Sequence, residues 1–85
     1  MRVNTQNVFR AWKMGKSYRK ARSLWTNGEV IFSYATPIVR IRDGITRFNV
    51  CRYSRTTTTH QNGLRQLLMD AYRTPIIEVD GAIEL

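Results

Sequence analysis

The sequence predicts a single α+β domain over residues 1–85: an N-terminal helix, a four-stranded antiparallel meander, a C-terminal helix packed on the sheet and a short terminal strand. Three observations predict this fold class. Two segments carry apolar residues at helical spacing, four others carry shorter apolar runs, and Asn-Gly and Asp-Gly steps divide those runs into pairs. A chain of 85 residues can bury one modest core.

The first helix is predicted over residues 5–14. Val8 and Trp12 fall on one face, Thr5 is a suitable N-cap, and Gly15 is placed to end the helix. The large side chains expected in the core are Trp12, Trp25, Phe32, Phe48 and Tyr72.

Two hairpins follow. The first joins residues 21–26 to 29–34 through Asn27-Gly28, and the second joins residues 38–42 to 45–50 through Asp43-Gly44. A two-residue turn in the second hairpin pairs Val39 with Phe48 and Arg40 with Arg47. Alternation then predicts an apolar face with Val39, Ile41 and Phe48, and a polar face with Arg40, Arg42 and Arg47. The same logic places Trp25, Val30 and Phe32 together in the first hairpin.

The second helix is predicted over roughly residues 58–72. Leu64 and Leu68 lie on its apolar stripe, and Thr58 with Gln61 has the spacing of a capping box, although Thr57 could serve as the cap instead. Pro75 ends the helix. Residues 76–79 are expected to form the last strand, before a turn at Asp80-Gly81.

Charge is the main feature of the composition. The chain has 14 Lys and Arg against six Asp and Glu, a formal net charge of +8. Residues 1–28 contain no acid, and residues 74–85 contain acids but no base. A one-sided field of this kind attracts polyanions. It favours nucleic acid, DNA or RNA, as the partner, while a merely basic, solvated surface is the alternative.

The candidate binding residues for nucleic acid or another anionic partner lie on three elements. The first helix and the loop expected after it carry Arg10, Lys13, Lys16, Arg19 and Lys20. The polar sheet face carries Arg40, Arg42 and Arg47, and the start of the second helix carries Arg52, Tyr53 and Arg55. Lys and Arg would contact phosphates, and Tyr18, Tyr34 and Tyr53 could stack on unpaired bases or instead pack in the core.

Catalysis has little support in the sequence. His60 is the single histidine and Cys51 the single cysteine, so an intramolecular disulfide is impossible and no metal or cofactor is expected. No signal peptide or membrane-spanning run is evident. The sequence therefore predicts a non-enzymatic, intracellular protein without a membrane partner, and an exposed edge strand leaves room for a homodimer.

Residues 53–61 join the last strand of the meander to the second helix and are rich in hydroxyl groups. Two interpretations are open. Ser54, Thr57, Thr58 and His60 could bond to each other and lock this corner structurally. Alternatively, the helix start could capture an anion with help from Arg52 and Arg55.

Three elements of the sequence carry a resemblance: the run Ser33-Tyr34-Ala35-Thr36-Pro37-Ile38, then Asp43-Gly44, then Tyr53-Ser54-Arg55-Thr56-Thr57-Thr58-Thr59-His60-Gln61. This pattern resembles short uncharacterised proteins encoded by phages and microbial genomes, over roughly residues 25–68. The resemblance brings no established activity. It implies a phage or mobile-element origin and a location in the host cytoplasm, where such proteins modulate nucleic-acid machinery.

The expected function is that of a phage-type accessory protein that binds nucleic acid or a nucleic-acid-handling complex through its basic surface. The alternative is a protein-directed inhibitor of a host enzyme or defence complex, similar to an anti-CRISPR protein, that docks on an acidic surface.

Overall fold

A computed structural model describes residues 3–71, 75–81 and 83 of the chain. The elements in these residues are α1 (Val3–Lys13), β1 (Ser17–Ala21), β2 (Leu24–Asn27), β3 (Val30–Ser33), β4 (Thr36–Arg42), β5 (Ile45–Asn49), α2 (Arg55–Ala71) and β6 (Ile76–Val79). These strands form one sheet in the order β1-β2-β3-β4-β5-β6.

The α+β class, both helices and the terminal strand are confirmed, but the sheet is larger than predicted. β1 to β5 form an antiparallel meander of five strands instead of four. β6 pairs with β5 in parallel. A parallel neighbour requires a crossover connection, because a hairpin reverses the chain direction, and α2 is that crossover.

Both helices begin earlier than predicted. α1 begins two residues before Thr5, so Thr5 lies inside the helix and is not its cap. Its side chain is buried. α2 begins at Arg55, so the predicted cap at Thr58 and the alternative at Thr57 are both wrong. Ser54 caps α2 instead, because its Oγ accepts the Thr57 N–H at 3.2 Å. A run of hydroxyl residues offers several possible caps, and spacing alone does not choose among them.

The predicted end of α1 at Gly15 is confirmed. Gly15 has a φ of 69°, in the left-handed region that favours glycine. Its N–H donates to the Trp12 carbonyl at 3.0 Å, and the Lys16 N–H donates to the Ala11 carbonyl at 2.9 Å. These two bonds form a Schellman motif.

The segment expected to be a loop after α1 is largely a strand, β1. The single strand predicted over residues 21–26 is instead the end of β1, a turn at Arg22-Ser23 and then β2. Ala21 pairs with Leu24 across that turn. β1 is an edge strand with a polar sequence, so it lacks the apolar alternation by which strands are recognised.

The turn between β2 and β3 lies one residue later than predicted. Trp25 pairs with Phe32, which places Gly28 and Glu29 at the centre of the turn. Gly28 takes a φ of 100°, and Asn27 Oδ1 accepts the Glu29 N–H at 3.0 Å. This displacement shifts the pairing by two residues. An even shift keeps each side chain on its face, so Trp25 and Phe32 still lie together as predicted.

The hairpin of β4 and β5 has the predicted register, with Arg40 opposite Arg47. Asp43 and Gly44 have φ values of 54° and 74°, as a type I′ turn requires. A type I′ turn matches the twist of the flanking strands, which is why an Asp-Gly step predicts this pairing.

A bulge in β4 sends two consecutive side chains into the core. Ile31 pairs with Val39 but Phe32 pairs with Pro37, so Ile38 is the extra residue. Ile38 and Val39 are both fully buried. The bulge breaks the simple alternation that the sequence analysis assumed for this strand.

The core lies between the sheet and the two helices. Its members are Val8, Phe9, Trp12, Leu24, Ile31, Ile38, Val39, Phe48, Leu64 and Leu68. Trp12 and Phe48 are therefore core residues, as predicted. Phe32 is buried on the opposite face of the sheet, where Trp25 is half-buried. The predicted core residue Tyr72 lies outside the described residues.

Candidate nucleic-acid interface

α1 exposes two of the predicted binding residues. The helix buries Val8, Phe9 and Trp12 against the sheet, which leaves Arg10 and Lys13 exposed. A spacing of three residues places these two cations on one stripe of the helix. Lys13 Nζ also lies 5.7 Å from the centre of the Phe9 ring.

β1, the edge strand in contact with α1, brings three more cations to this edge of the sheet. Lys16 precedes the strand, Arg19 and Lys20 lie within it, and all three are exposed. α1 contacts β1, and Asn7 Nδ2 donates to the Tyr18 hydroxyl at 3.4 Å. We call these exposed cations the α1–β1 flank: Arg10, Lys13, Lys16, Arg19 and Lys20.

Arg19, Trp25 and Phe32 form a column of stacked side chains at the β1 edge of the sheet. The Arg19 guanidinium carbon lies 4.7 Å from the centre of the Trp25 ring. Trp25 in turn stacks on Phe32, with ring centres 4.2 Å apart and ring planes at 12°. Trp25 Nε1 donates to the Tyr34 carbonyl at 2.7 Å, which fixes the indole. Trp25 lies beside Phe32 as predicted, but the contact of Arg19 with the indole was not predicted, because β1 was expected to be a loop.

The arginines predicted on the polar sheet face do not form an open cationic surface. Arg40 is only 5% exposed, and Arg47 is half-buried. Arg42 is paired with Glu29, with 2.9 Å between Nη2 and Oε2. Phe32 on the same face is also buried. The predicted polar face is therefore partly buried, and one of its arginines is paired with an acid.

The corner between β5 and α2 is held by a network of hydrogen bonds. Thr57 Oγ1 lies 3.0 Å from Ser33 Oγ and accepts a bond from Ser54 Oγ at 3.2 Å. His60 Nδ1 lies 2.9 Å from the same Ser33 hydroxyl. Thr58 Oγ1 donates to the Ser54 carbonyl at 3.0 Å. The network extends to Ser33 on β3, which the sequence analysis missed although it is a polar residue in a strand of buried side chains.

Gln61 is the centre of a second network and not half of a capping box. Its Nε2 donates to the carbonyls of Asn49 at 2.7 Å and Cys51 at 2.9 Å. Asn49 Nδ2 donates to the Pro37 carbonyl at 3.2 Å and to the Tyr53 hydroxyl at 2.9 Å. The segment between β5 and α2 is thus held by side chains at both of its ends.

Arg52 and Arg55 are exposed at this corner. One N–H of the first turn, that of Thr57, is already bonded to Ser54 Oγ. A cleft of about 220 Å³ lies beside the corner and is lined by Phe48, Val50, Arg52, Thr58, Gln61, Asn62 and Arg65. Arg65 pairs with Glu78 at 2.9 Å and stacks over Phe48. The corner and its cleft contribute cations that lie apart from the α1–β1 flank.

The two residues considered for catalysis have separate surroundings. His60 is bonded to Ser33, whereas Cys51 Sγ lies 3.8 Å from the Arg52 carbonyl oxygen. Among the described residues, no group of three or more His, Cys, Asp or Glu is placed to hold a metal ion. Neither helix, as far as it is described, is long and apolar enough to cross a membrane.

A meander of five antiparallel strands, a parallel sixth strand, two helices on one face and an exposed cationic flank define a small basic α+β protein. The chain belongs to a family of unknown function, DUF8033, whose sequence model matches residues 3–74. No curated protein and no solved structure matches the chain significantly. The family relationship therefore brings no activity to this chain.

Proposed function

We propose that the protein is a non-enzymatic accessory protein that binds nucleic acid through the α1–β1 flank. The observation that supports this proposal is that all the cations of the flank are exposed. They lie on α1, on β1 and at Lys16 directly before β1, and α1 contacts β1. The flank is thus the part of the basic sequence best placed for a polyanion.

Phosphate contacts of this kind give affinity without sequence preference. The column of Arg19, Trp25 and Phe32 adds a rigid group at the edge of the flank. A guanidinium that already lies over an indole is restrained there, so less side-chain entropy is lost when it binds a phosphate or a base. The resemblance to phage-encoded proteins agrees with an accessory role of this kind.

The test is fluorescence anisotropy with labelled single-stranded and duplex oligonucleotides over a series of salt concentrations. The logarithm of affinity should fall linearly with the logarithm of salt concentration. The variant Lys16→Ala/Lys20→Ala should make that slope shallower by roughly 1.4 to 1.8 units, since each of the two lost phosphate contacts removes roughly 0.7 to 0.9.

A matched control is the variant Arg42→Ala/Arg65→Ala, which has the same net charge. It removes two half-exposed cations that are already paired with acids, and exposed pairs contribute little to stability. Its salt slope should stay near that of the wild type. If the salt slope became shallower by the same amount in both double variants, binding would depend on net charge alone, and the flank would then not be the binding surface.

A protein-directed inhibitor is the second candidate, and the contact between Arg19 and Trp25 favours it. Arg and Trp are the residue types that dominate binding energy at protein interfaces. In that case the same flank would dock on an acidic protein, and the oligonucleotides would not bind even at low ionic strength.

A further inference from the structure

Tyr34 has an unusual backbone conformation for an aromatic residue. It is the first central residue of the turn between β3 and β4 and has a φ of 57°, whereas Ala35 after it does not have a positive φ. This combination is typical of a type II′ turn, in which glycine is preferred at the first central position. A bulky side chain with positive φ is strained.

The strained turn is held by bonds on both sides of Tyr34. Its N–H donates to the Ser23 carbonyl at 3.2 Å. Its carbonyl accepts the Trp25 Nε1–H at 2.7 Å. Tyr34 is nevertheless 51% exposed, so its ring is not needed to fill the core. The turn therefore presents a large aromatic side chain on a fixed backbone, in a place where glycine would be less strained.

Two arginines neighbour the backbone partners of Tyr34. The indole that bonds the Tyr34 carbonyl lies under the Arg19 guanidinium. The Tyr34 N–H donates to the carbonyl of Ser23. Arg22, the residue before Ser23, is exposed. An exposed aromatic ring next to cations is the combination with which proteins bind unpaired bases and their phosphates.

We propose that Tyr34 is the base-stacking residue of the interface, and that it takes one unpaired base of a single strand whose phosphates contact Arg19 and Arg22. This inference rests on the proposed function and adds a preference for single strands to it. The other two tyrosines considered for stacking are less suitable. Tyr18 is half-buried, and the Tyr53 hydroxyl is bonded to Asn49.

Three substitutions of Tyr34 distinguish the effect of the aromatic ring from the effect of the strained backbone. Tyr34→Phe keeps both the ring and the strain, Tyr34→Leu keeps the bulk and the strain without the ring, and Tyr34→Gly removes both. The probe is an oligothymidylate of about 20 nucleotides, with a duplex of the same length as control. Leu and Gly should weaken single-strand binding about tenfold, the typical effect of losing one stacked base, and Phe should stay within about twofold of wild type.

Duplex binding should be the same in all three variants, because paired bases keep their faces inside the helix. The Gly variant should also melt about 3–5 °C higher than the wild type, since the strain is relieved. A more stable protein that binds single strands less well identifies the ring as a binding group.

Two failures are distinguishable. If the wild type binds with the expected salt dependence but the Leu and Gly variants bind single strands equally well, the role of Tyr34 is overturned and the proposed function stands. If the wild type binds neither probe at low salt, the proposed function fails and this inference fails with it.

Discussion

Ser33 on β3 and His60 on α2 are joined by a hydrogen bond of 2.9 Å between Oγ and Nδ1, although they are 27 residues apart in the chain. Both side chains are buried. The bond connects the sheet to the first turns of the helix that covers it. It also links two of the sequence elements that carry the resemblance, which gives those elements a shared physical role.

The Ser33–His60 pair should show a measurable coupling energy. We expect Ser33→Ala and His60→Ala each to destabilise the protein, because a buried polar partner loses its bond. A double-mutant cycle by urea unfolding should give a coupling of about 0.5–3 kcal/mol, as is usual for residues in direct contact. Strict additivity would contradict a contribution of this bond to stability.

Thr57 and Thr59 provide a matched pair for the corner. Thr57→Val should cost about 1–3 kcal/mol, because it removes a buried hydroxyl that bonds both the buried Ser33 hydroxyl and the helix-capping Ser54 hydroxyl. Thr59→Val should change stability by less than about 0.5 kcal/mol, since the Thr59 hydroxyl is exposed and bonds only the Arg55 carbonyl. Thermal unfolding of both variants tests the difference, and equal melting temperatures would contradict it.

Gly28 should tolerate alanine less well than Gly44. Both have positive φ, so both substitutions strain the backbone by about 1 kcal/mol. A Cβ at Gly28 would also lie 2.7 Å from the Gly15 carbonyl oxygen, whereas a Cβ at Gly44 would meet nothing within 4 Å. We expect Gly28→Ala to cost roughly 1–3 kcal/mol more, the usual range for overpacking. Chemical denaturation measures the free energy of unfolding of both variants. Similar losses of stability would show that the β2–β3 turn can move away from α1.

Gln61→Glu should be strongly destabilising. The substitution places a carboxylate oxygen against the carbonyl oxygens of Asn49 and Cys51 in a buried position. The loss of two bonds and the burial of an unpaired charge together should cost about 3 kcal/mol or more. Gln66→Glu on the exposed side of the same helix is the control. It should cost only a few tenths of a kcal/mol, through repulsion with Asp70 four residues later.

Much of the β4–β5 hairpin could be read from local sequence. Asp43-Gly44 has the chemistry of a type I′ turn, and turn chemistry sets the register of the strands on either side. The end of α1 is similar, because Gly15 is suited to a left-handed position just after an apolar helical stripe. In each case a few neighbouring residues determine the local backbone.

β1 and the start of α2 could not be predicted in this way. β1 is a strand because β2 beside it supplies hydrogen-bond partners and α1 packs on it, and its own polar sequence does not indicate that. The start of α2 depends on which of several hydroxyl residues meets Ser33 across the core. These are long-range contacts, which local pattern does not contain.

The sequence by itself determined the α+β class, the two helices, most of the strand faces and the concentration of cations in the N-terminal third. The tertiary structure alone decided which of those cations are available. It buries Arg40, pairs Arg42 with Glu29 and exposes Arg19 on the Trp25 ring. The physical reason is that periodicity fixes the direction of a side chain within its own element, whereas its exposure depends on what other elements pack against it.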